Sequence, residues 1–199
     1  MIRLDVKQGS EEWFAARRGI PTSSEFGRII GVTGKISTAK SYLYELAGAR
    51  ITGVDKGNFQ SAAMARGTEM EPEARAYCEL VMGVEVEQVG FILDDSKRYG
   101  CSPDGLFGDT GLEAKCPSVH VHIGYLLAGV LPSDYFAQVQ GSMLVTGFSH
   151  WWFCSYFPGL PALILDVQRD WEFTAKLSVA LKDFCNELNE LEKKLRRLA

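Results

Sequence analysis

Apolar and polar positions follow two rhythms along the chain, and their order predicts an α/β fold. From about Ala62 to Met82 apolar residues recur at the three-and-four spacing of one helix face. The same spacing returns at the end, where Leu177, Leu181, Phe184, Leu188, Leu191, Leu195 and Leu198 mark a closing helix from about Asp170 to Leu198. Between these stretches the period changes to two. Val84–Val89 alternates with period two and Gly90–Leu93 begins a second apolar run, both expected of strands. Ser102–Phe107 and Leu112–Cys116 form a strand pair around the four-residue turn Gly108–Gly111. A helix from about Asp134 to Val145 follows, then strands His150–Phe157 and Ala162–Val167 on either side of the Pro158–Pro161 turn. Ahead of the sheet, Gln8–Ile30 reads as two short helices parted at Gly19–Pro21, with Thr22 or Ser23 as N-cap of the second. Gly31–Lys40 is a loop, and Ser41–Gly53 is a further helix. The leucine stripe has two readings: packing on its own domain, or contact with another subunit or a partner.

Composition narrows the class. With 46% hydrophobic and 23% charged residues and no low-complexity tract, the 199 residues suit one domain, 1–199, with a substantial core. No apolar run reaches the roughly eighteen residues of a membrane span, and the N-terminus lacks a signal-peptide layout, so a cytoplasmic protein without membrane contact is expected. The five cysteines form no C-x-x-C pair, which argues for reduced, mostly buried thiols rather than zinc or an iron–sulfur cluster. A net charge of -4 argues against a protein that coats nucleic acid by bulk attraction, but the charge is uneven. Nine Lys/Arg against six Asp/Glu leave residues 1–56 at +3 and the remainder at -7. A basic first third could hold phosphates while the acidic remainder holds metal.

The chemistry concentrates in Cys101–Pro117. If both arms are strands of one hairpin, the short turn brings Asp104 near Glu113 and Lys115, and alternation sets Glu113 and Lys115 on one face with Ala114 pointing away. Two carboxylates at close range repel unless a cation sits between them or one is protonated. All-oxygen ligands suit Mg²⁺ or Mn²⁺, which acidify bound water and offset charge on a phosphodiester. Lys115 can orient that water or stabilise the same charge.

These residues carry a family resemblance. Pro103-Asp104, eight intervening residues, then Glu113–Lys115 resembles the signature of the PD-(D/E)XK nuclease superfamily. Ser102–Gly105, Leu112–Pro117 and Ala137–Gln140, with Arg17–Glu25 and Arg66–Glu71 upstream, resemble the lambda exonuclease family, also called YqaJ-like viral recombinases. The motifs run from about Trp13 to Tyr156. The implied fold is the PD-(D/E)XK nuclease core: a central mixed β-sheet flanked by helices, with an α-helical N-terminal segment and a long C-terminal helix.

Roles follow by position. The resemblance makes Asp104, Glu113, Lys115, Gln138 and Glu71 catalytic, with Asp104, Glu113, Glu71 and the Ala114 carbonyl holding two Mg²⁺ ions for which Mn²⁺ can substitute. Glu71 and Glu73 lie about 200° apart on a helix and cannot both face the site, and Gln140 should face away from Gln138. Arg17, Ser24 and Ser102 match residues that bind a terminal 5′-phosphate, with only one of Arg17 and Arg18 pointing inward. Arg66 stands where a relative has an aromatic residue, and the Gly31–Lys40 and Val54–Ser61 loops depart from the pattern. For these, composition offers Phe59 and Met64 as strand-separating wedges and Lys35, Lys40 and Lys56 as phosphate contacts.

The implied activity is 5′-to-3′ digestion of linear double-stranded DNA to 5′-mononucleotides, leaving a 3′ single strand, in phage-type recombination. The implied partners are double-stranded DNA ends, two further copies in a homotrimer ring, and a single-strand annealing protein. The implied location is the host bacterial cytoplasm. Two other readings stay open at this level: an endonuclease of repair or restriction type, recognised by cutting closed circular DNA, and a non-catalytic DNA-binding module, against which the intact Asp104, Glu113 and Lys115 argue.

Overall fold

The computed structural model describes residues 1–54 and 62–198, less the side chains of residues 62–64. Helices α1 (Glu11–Arg17), α2 (Lys40–Thr52) and α3 (Ala62–Met82) lie in the first half, with a 3-10 turn at Ser23–Arg28 after α1. α4 (Val119–Ala128) and α5 (Ser133–Thr146) follow, and α6 (Trp171–Arg196) closes the chain. Strands β1 (Ile2–Leu4), β2 (Phe91–Leu93) and β3 (Gly100–Cys101) form a small antiparallel sheet in that order. Strands β4 (Gly105–Phe107), β5 (Thr110–Lys115), β6 (His150–Ser155) and β7 (Leu163–Gln168) form a four-stranded sheet, also in chain order. β4–β5 and β6–β7 are antiparallel hairpins, while β5 and β6 run parallel, so this sheet is mixed. Parallel neighbours cannot be joined by a tight turn, and α4 and α5 supply the crossover.

Alternation along the strands sorts residues between two cores. Leu112 and Ala114 of β5, with Cys154 of β6, pack against Ala74 and Cys78 of α3. Trp151 and Phe153 of β6 point the other way, into a larger cluster with Phe26 and Ile29, Met143 of α5, and Leu177 and Leu181 of α6. Glu113, paired in register with Phe153, therefore belongs to the α5 face. α5 approaches the 3-10 turn closely because residue 141 is glycine: a Cβ there would lie 2.3 Å from the Phe26 ring.

The leucine stripe of α6 is spent within the chain. Leu177, Leu181, Phe184 and Leu188 are buried, Leu191 and Leu195 pack partly against the same core, and only Leu198 is largely exposed, at 77%. Arg50 of α2 reinforces the contact by donating to Asn189 and pairing with Glu192. The helix begins at Asp170, whose carboxylate accepts from the Phe173 amide at 2.9 Å. Asp170→Ala leaves that amide without its cap, so a loss of about 1 kcal/mol and a Tm lower by roughly 2–4 °C are expected. Calorimetry checks this; an unchanged Tm would show that water serves the amide equally well.

Two expectations need correction, and two elements come in addition to those expected. Val84–Val89 is not a strand: among the described residues its only ladder contact is the bridge between Glu87 and Leu106. The buried positions are Val86 and Val89, three apart, so the segment lies against β4 without a regular pleat. The β4–β5 turn is two residues rather than four, because Thr110 already pairs with Phe107. Gly108 takes the left-handed φ of +58° at its first position. β1 and α4 are elements that the pattern of apolar residues did not announce. α4 is apolar around most of its circumference yet buries only His122, so it shows no helical stripe.

Candidate active site

The β4–β5 hairpin builds the centre. The Asp104 amide donates to the Leu112 carbonyl at 3.0 Å, and its Oδ2 accepts from the Ala114 amide at 2.7 Å, which fixes the carboxylate across the hairpin from β5. Glu113 is 2% exposed. Its Oε1 accepts from Gln138 Nε2 at 2.6 Å and pairs with Lys115 Nζ at 2.5 Å. Its Oε2 is buried and, among the described residues, has no hydrogen-bond partner.

The electrostatics of this cluster favour a cation. Burial, then the neighbouring Glu113 and Glu71, push the Asp104 carboxyl well above the usual range, against the opposing pull of Lys115 and the Ala114 amide. Burial also works against charge on Lys115, but Glu113 and Asp104 more than offset it and hold the ammonium above the usual lysine range. An orphaned carboxylate oxygen costs free energy in a dry site. A divalent ion would satisfy it and relieve the repulsion that Asp104 reports. Among the described residues no three His, Cys, Asp or Glu side chains are grouped closely enough to hold a metal by themselves.

Glu71 reaches this region from α3, where it lines the same cleft as Asp104 and pairs with Arg75 at 3.1 Å. Glu73 turns away and accepts from the Tyr156 hydroxyl at 2.6 Å. Gln138 and Gln140 divide in the same way. Gln140 is buried, donates to the Gln168 carbonyl and accepts from the Asp170 amide, tying β7 to the start of α6.

A second group forms next to Asp104. Arg17 Nη1 donates to Ser102 Oγ at 2.7 Å, and its guanidinium lies 4.0 Å from the centroid of the Trp13 ring. Trp13 Nε1 donates to the same hydroxyl and to the Gly90 carbonyl. Burial draws the Arg17 pKa below its ordinary value. Ser24 does not meet this pair; it is exposed and its hydroxyl lies 3.2 Å from Thr22 Oγ1. A parallel bridge between Thr22 and Gly100 nevertheless carries the two chains side by side, with Ser24 and Ser102 each two residues further on.

Gln8, Trp13 and Tyr135 are parts of the site that the sequence did not single out. Gln8 Nε2 donates to the Val89 and Pro103 carbonyls and so holds the loop that presents Asp104. No local signal marks it. Trp13 precedes Arg17 by one helical turn, a spacing that could have been read. Tyr135 precedes Gln138 by three and faces Lys115. Arg66 donates to the Cys116 carbonyl at 3.4 Å, just past Lys115. Lys35 and Lys40 are exposed; Lys56 and Phe59 lie outside the described residues, as does the side chain of Met64. A cleft of about 970 Å³ opens on Asp104 and Glu71 and is bordered by Gln8, Trp13, Thr68 and Arg75.

An aspartate set by a hairpin against a Glu–Ala–Lys strand, on a mixed sheet backed by helices, defines the class: the fold is that of the PD-(D/E)XK nucleases. Residues 12–149 match the model of the YqaJ-like viral recombinase domain, and the chain belongs to that family. Its structure is similar to LHK-Exo, an alkaline exonuclease from Laribacter hongkongensis. Against the complex of LHK-Exo with dAMP the TM-score is 0.86 at 35% identity, covering 94% of this chain and 97% of that one. Against a second LHK-Exo structure it is 0.80 at 36% identity, covering 96% and 100%. A phage-related exonuclease from Haemophilus somnus 129PT shares the fold, with a TM-score of 0.71 at 16% identity over 88% of this chain and 96% of that one. No curated protein matches the sequence.

Proposed function

We propose that this chain, as a single nuclease domain over residues 1–199, is an exonuclease of phage-type recombination. It digests linear double-stranded DNA from 5′ to 3′, releases 5′-mononucleotides and leaves a 3′ single strand. The observation behind this reading is Glu113: a buried carboxylate with one oxygen gripped by Gln138 and Lys115 and the other unpartnered among the described residues, its charge acting on Asp104. Asp104, Glu113, Glu71 and the Ala114 carbonyl would hold two Mg²⁺ ions, with Mn²⁺ able to substitute. When bound, these ions supply acidification of water and charge stabilisation at the phosphodiester.

The remaining work falls to this chain's side chains. Lys115 places a point charge beside the scissile group, and Gln138 fixes the orientation of Glu113. Arg17 and Ser102, held together over Trp13, anchor the terminal 5′-phosphate, with Ser24 alongside. Such an anchor makes hydrolysis end-dependent. The dAMP bound by LHK-Exo is a nucleotide of the class this reaction would release. As in the resembled family, three copies forming a ring around DNA would hold the polyanion without a strongly basic subunit, and a single-strand annealing protein would receive the 3′ strand. The setting is the bacterial cytoplasm; no helix among the described residues is long and apolar enough to cross a membrane.

The test is digestion of end-labelled linear duplex with and without chelator, comparing 5′-phosphate, 5′-hydroxyl and closed circular substrates. Chelator-sensitive release of labelled mononucleotide from 5′-phosphorylated ends is expected. Cutting of circles would make the protein an endonuclease, and no hydrolysis at all would leave a DNA-binding module.

A further inference from the structure

The first two turns of α5 present two residues, Tyr135 and Gln138, at a spacing that sets them on the same helix face. β5 presents Glu113 and Lys115 on the same strand face. The two faces meet in pairs. Gln138 holds Glu113, and the Lys115 ammonium lies 5.2 Å from the centroid of the Tyr135 ring. The ring has its own supports. It packs at 5.3 Å against Phe153, the residue opposite Glu113 in the β5–β6 register, and Tyr125 of α4 meets it edge-on at 6.3 Å.

From this arrangement we infer that Tyr135 is a positioning residue for hydrolysis, whose ring seats the Lys115 ammonium at the place where it acts. The inference rests on the nuclease reading above. A lysine side chain has four rotatable bonds and loses substantial freedom when it is fixed. Among the described residues the Glu113 carboxylate and the Tyr135 ring lie against its ammonium, and Asp104 adds its charge. If Glu113 turns its charge to divalent ions, its hold on the ammonium weakens and the ions repel it. The ring does not depend on the state of Glu113. Its negative face attracts the cation in a partly desolvated place, and Phe153 and Tyr125 prevent the ring from swinging aside.

Steady-state hydrolysis of linear duplex should separate the variants. Tyr135→Leu removes the π face and is expected to lower kcat about tenfold, a loss of about 1.4 kcal/mol, while KM for DNA changes less than about twofold. Tyr135→Phe keeps the face and should stay within about twofold of the parent on both parameters. Equal losses in the two variants, or a loss confined to KM, would overturn the seat. An independent readout needs no catalysis. In lysine-labelled protein the Lys115 ε-methylene protons, assigned by their disappearance in Lys115→Arg, should be shifted upfield by the ring in the parent and in Tyr135→Phe. An ordinary position in the parent overturns the inference even if Tyr135→Leu fails to fold. Should the parent hydrolyse no DNA, the nuclease reading falls by itself, and the proton shift still decides whether the ring holds the ammonium.

Discussion

Asp104→Asn is expected to lower the hydrolysis rate at least about a thousandfold and, in chelator, to raise the Tm of the protein. Both effects come from one carboxylate. Its pKa is raised by burial and by Glu113 and Glu71, so the folded, metal-free protein holds its proton more tightly than the unfolded chain does. Between the ordinary aspartate value and the raised one the native state binds more protons, and stability therefore falls as pH rises through that window. At neutral pH in chelator the ionised carboxylate is a liability. Asparagine removes that charge and can still accept from the Ala114 amide. Divalent ions reverse the order, because they bind the ionised native site and stabilise the parent by mass action. Calorimetry with and without Mg²⁺, beside the end-labelled digestion, reads both effects. Equal Mg²⁺ stabilisation of parent and variant would remove Asp104 from the metal site, and retained hydrolysis would remove it from the mechanism.

Arg17→Ala should reduce the preference for 5′-phosphorylated over 5′-hydroxyl ends by about ten- to a hundredfold, the worth of a charge-assisted contact of roughly 1.5–3 kcal/mol. The guanidinium is pre-set for that contact. Trp13 lies against its face and Ser102 accepts from one nitrogen, so little freedom remains to be lost when phosphate arrives. Trp13 keeps its own bonds to Ser102 and the Gly90 carbonyl in the variant, and the local frame should survive. Hydrolysis of 5′-hydroxyl ends should change little. Lysine at this position restores charge without the planar fork and is expected to recover only part of the preference. A ratio unchanged by Arg17→Ala would place the phosphate anchor elsewhere.

Much of the site is local, and that is why it was legible. Asp104, Glu113 and Lys115 lie within one hairpin, where turn chemistry brings the acids together and a period of two sets Glu113 and Lys115 on one face. Neither step needs knowledge of the rest of the molecule. The turn length was misread because the glycine–aspartate–threonine–glycine run offers turn residues at every position, and only the pairing of Phe107 with Thr110 selects two of them. Val84–Val89 failed for a related reason: alternation marks a segment able to be a strand, but a ladder also needs a neighbour, and β4 offers a single bridge. α4 carries no apolar stripe to read, because Ile123 and Leu127 remain exposed while His122 is the buried residue.

By itself the sequence determined the hairpin with its acids and ammonium, the helix–sheet–helix order, and the long amphipathic helix at the end, all consequences of side-chain spacing a few residues long. Only the tertiary structure decided which neighbours those groups would have. It brought Gln138 and Tyr135 from α5 onto Glu113 and Lys115, Glu71 rather than Glu73 to the cleft, Trp13 beneath Arg17, and the leucine stripe onto its own core. Apart from Trp13 and Arg17, one helical turn apart, these contacts join residues tens of positions apart, and their free energy comes from burial and charge in a particular packed arrangement. The unpartnered oxygen of Glu113 is the clearest case: any sequence can contain a glutamate, but only the fold can bury it and leave one of its oxygens without a partner among the described residues.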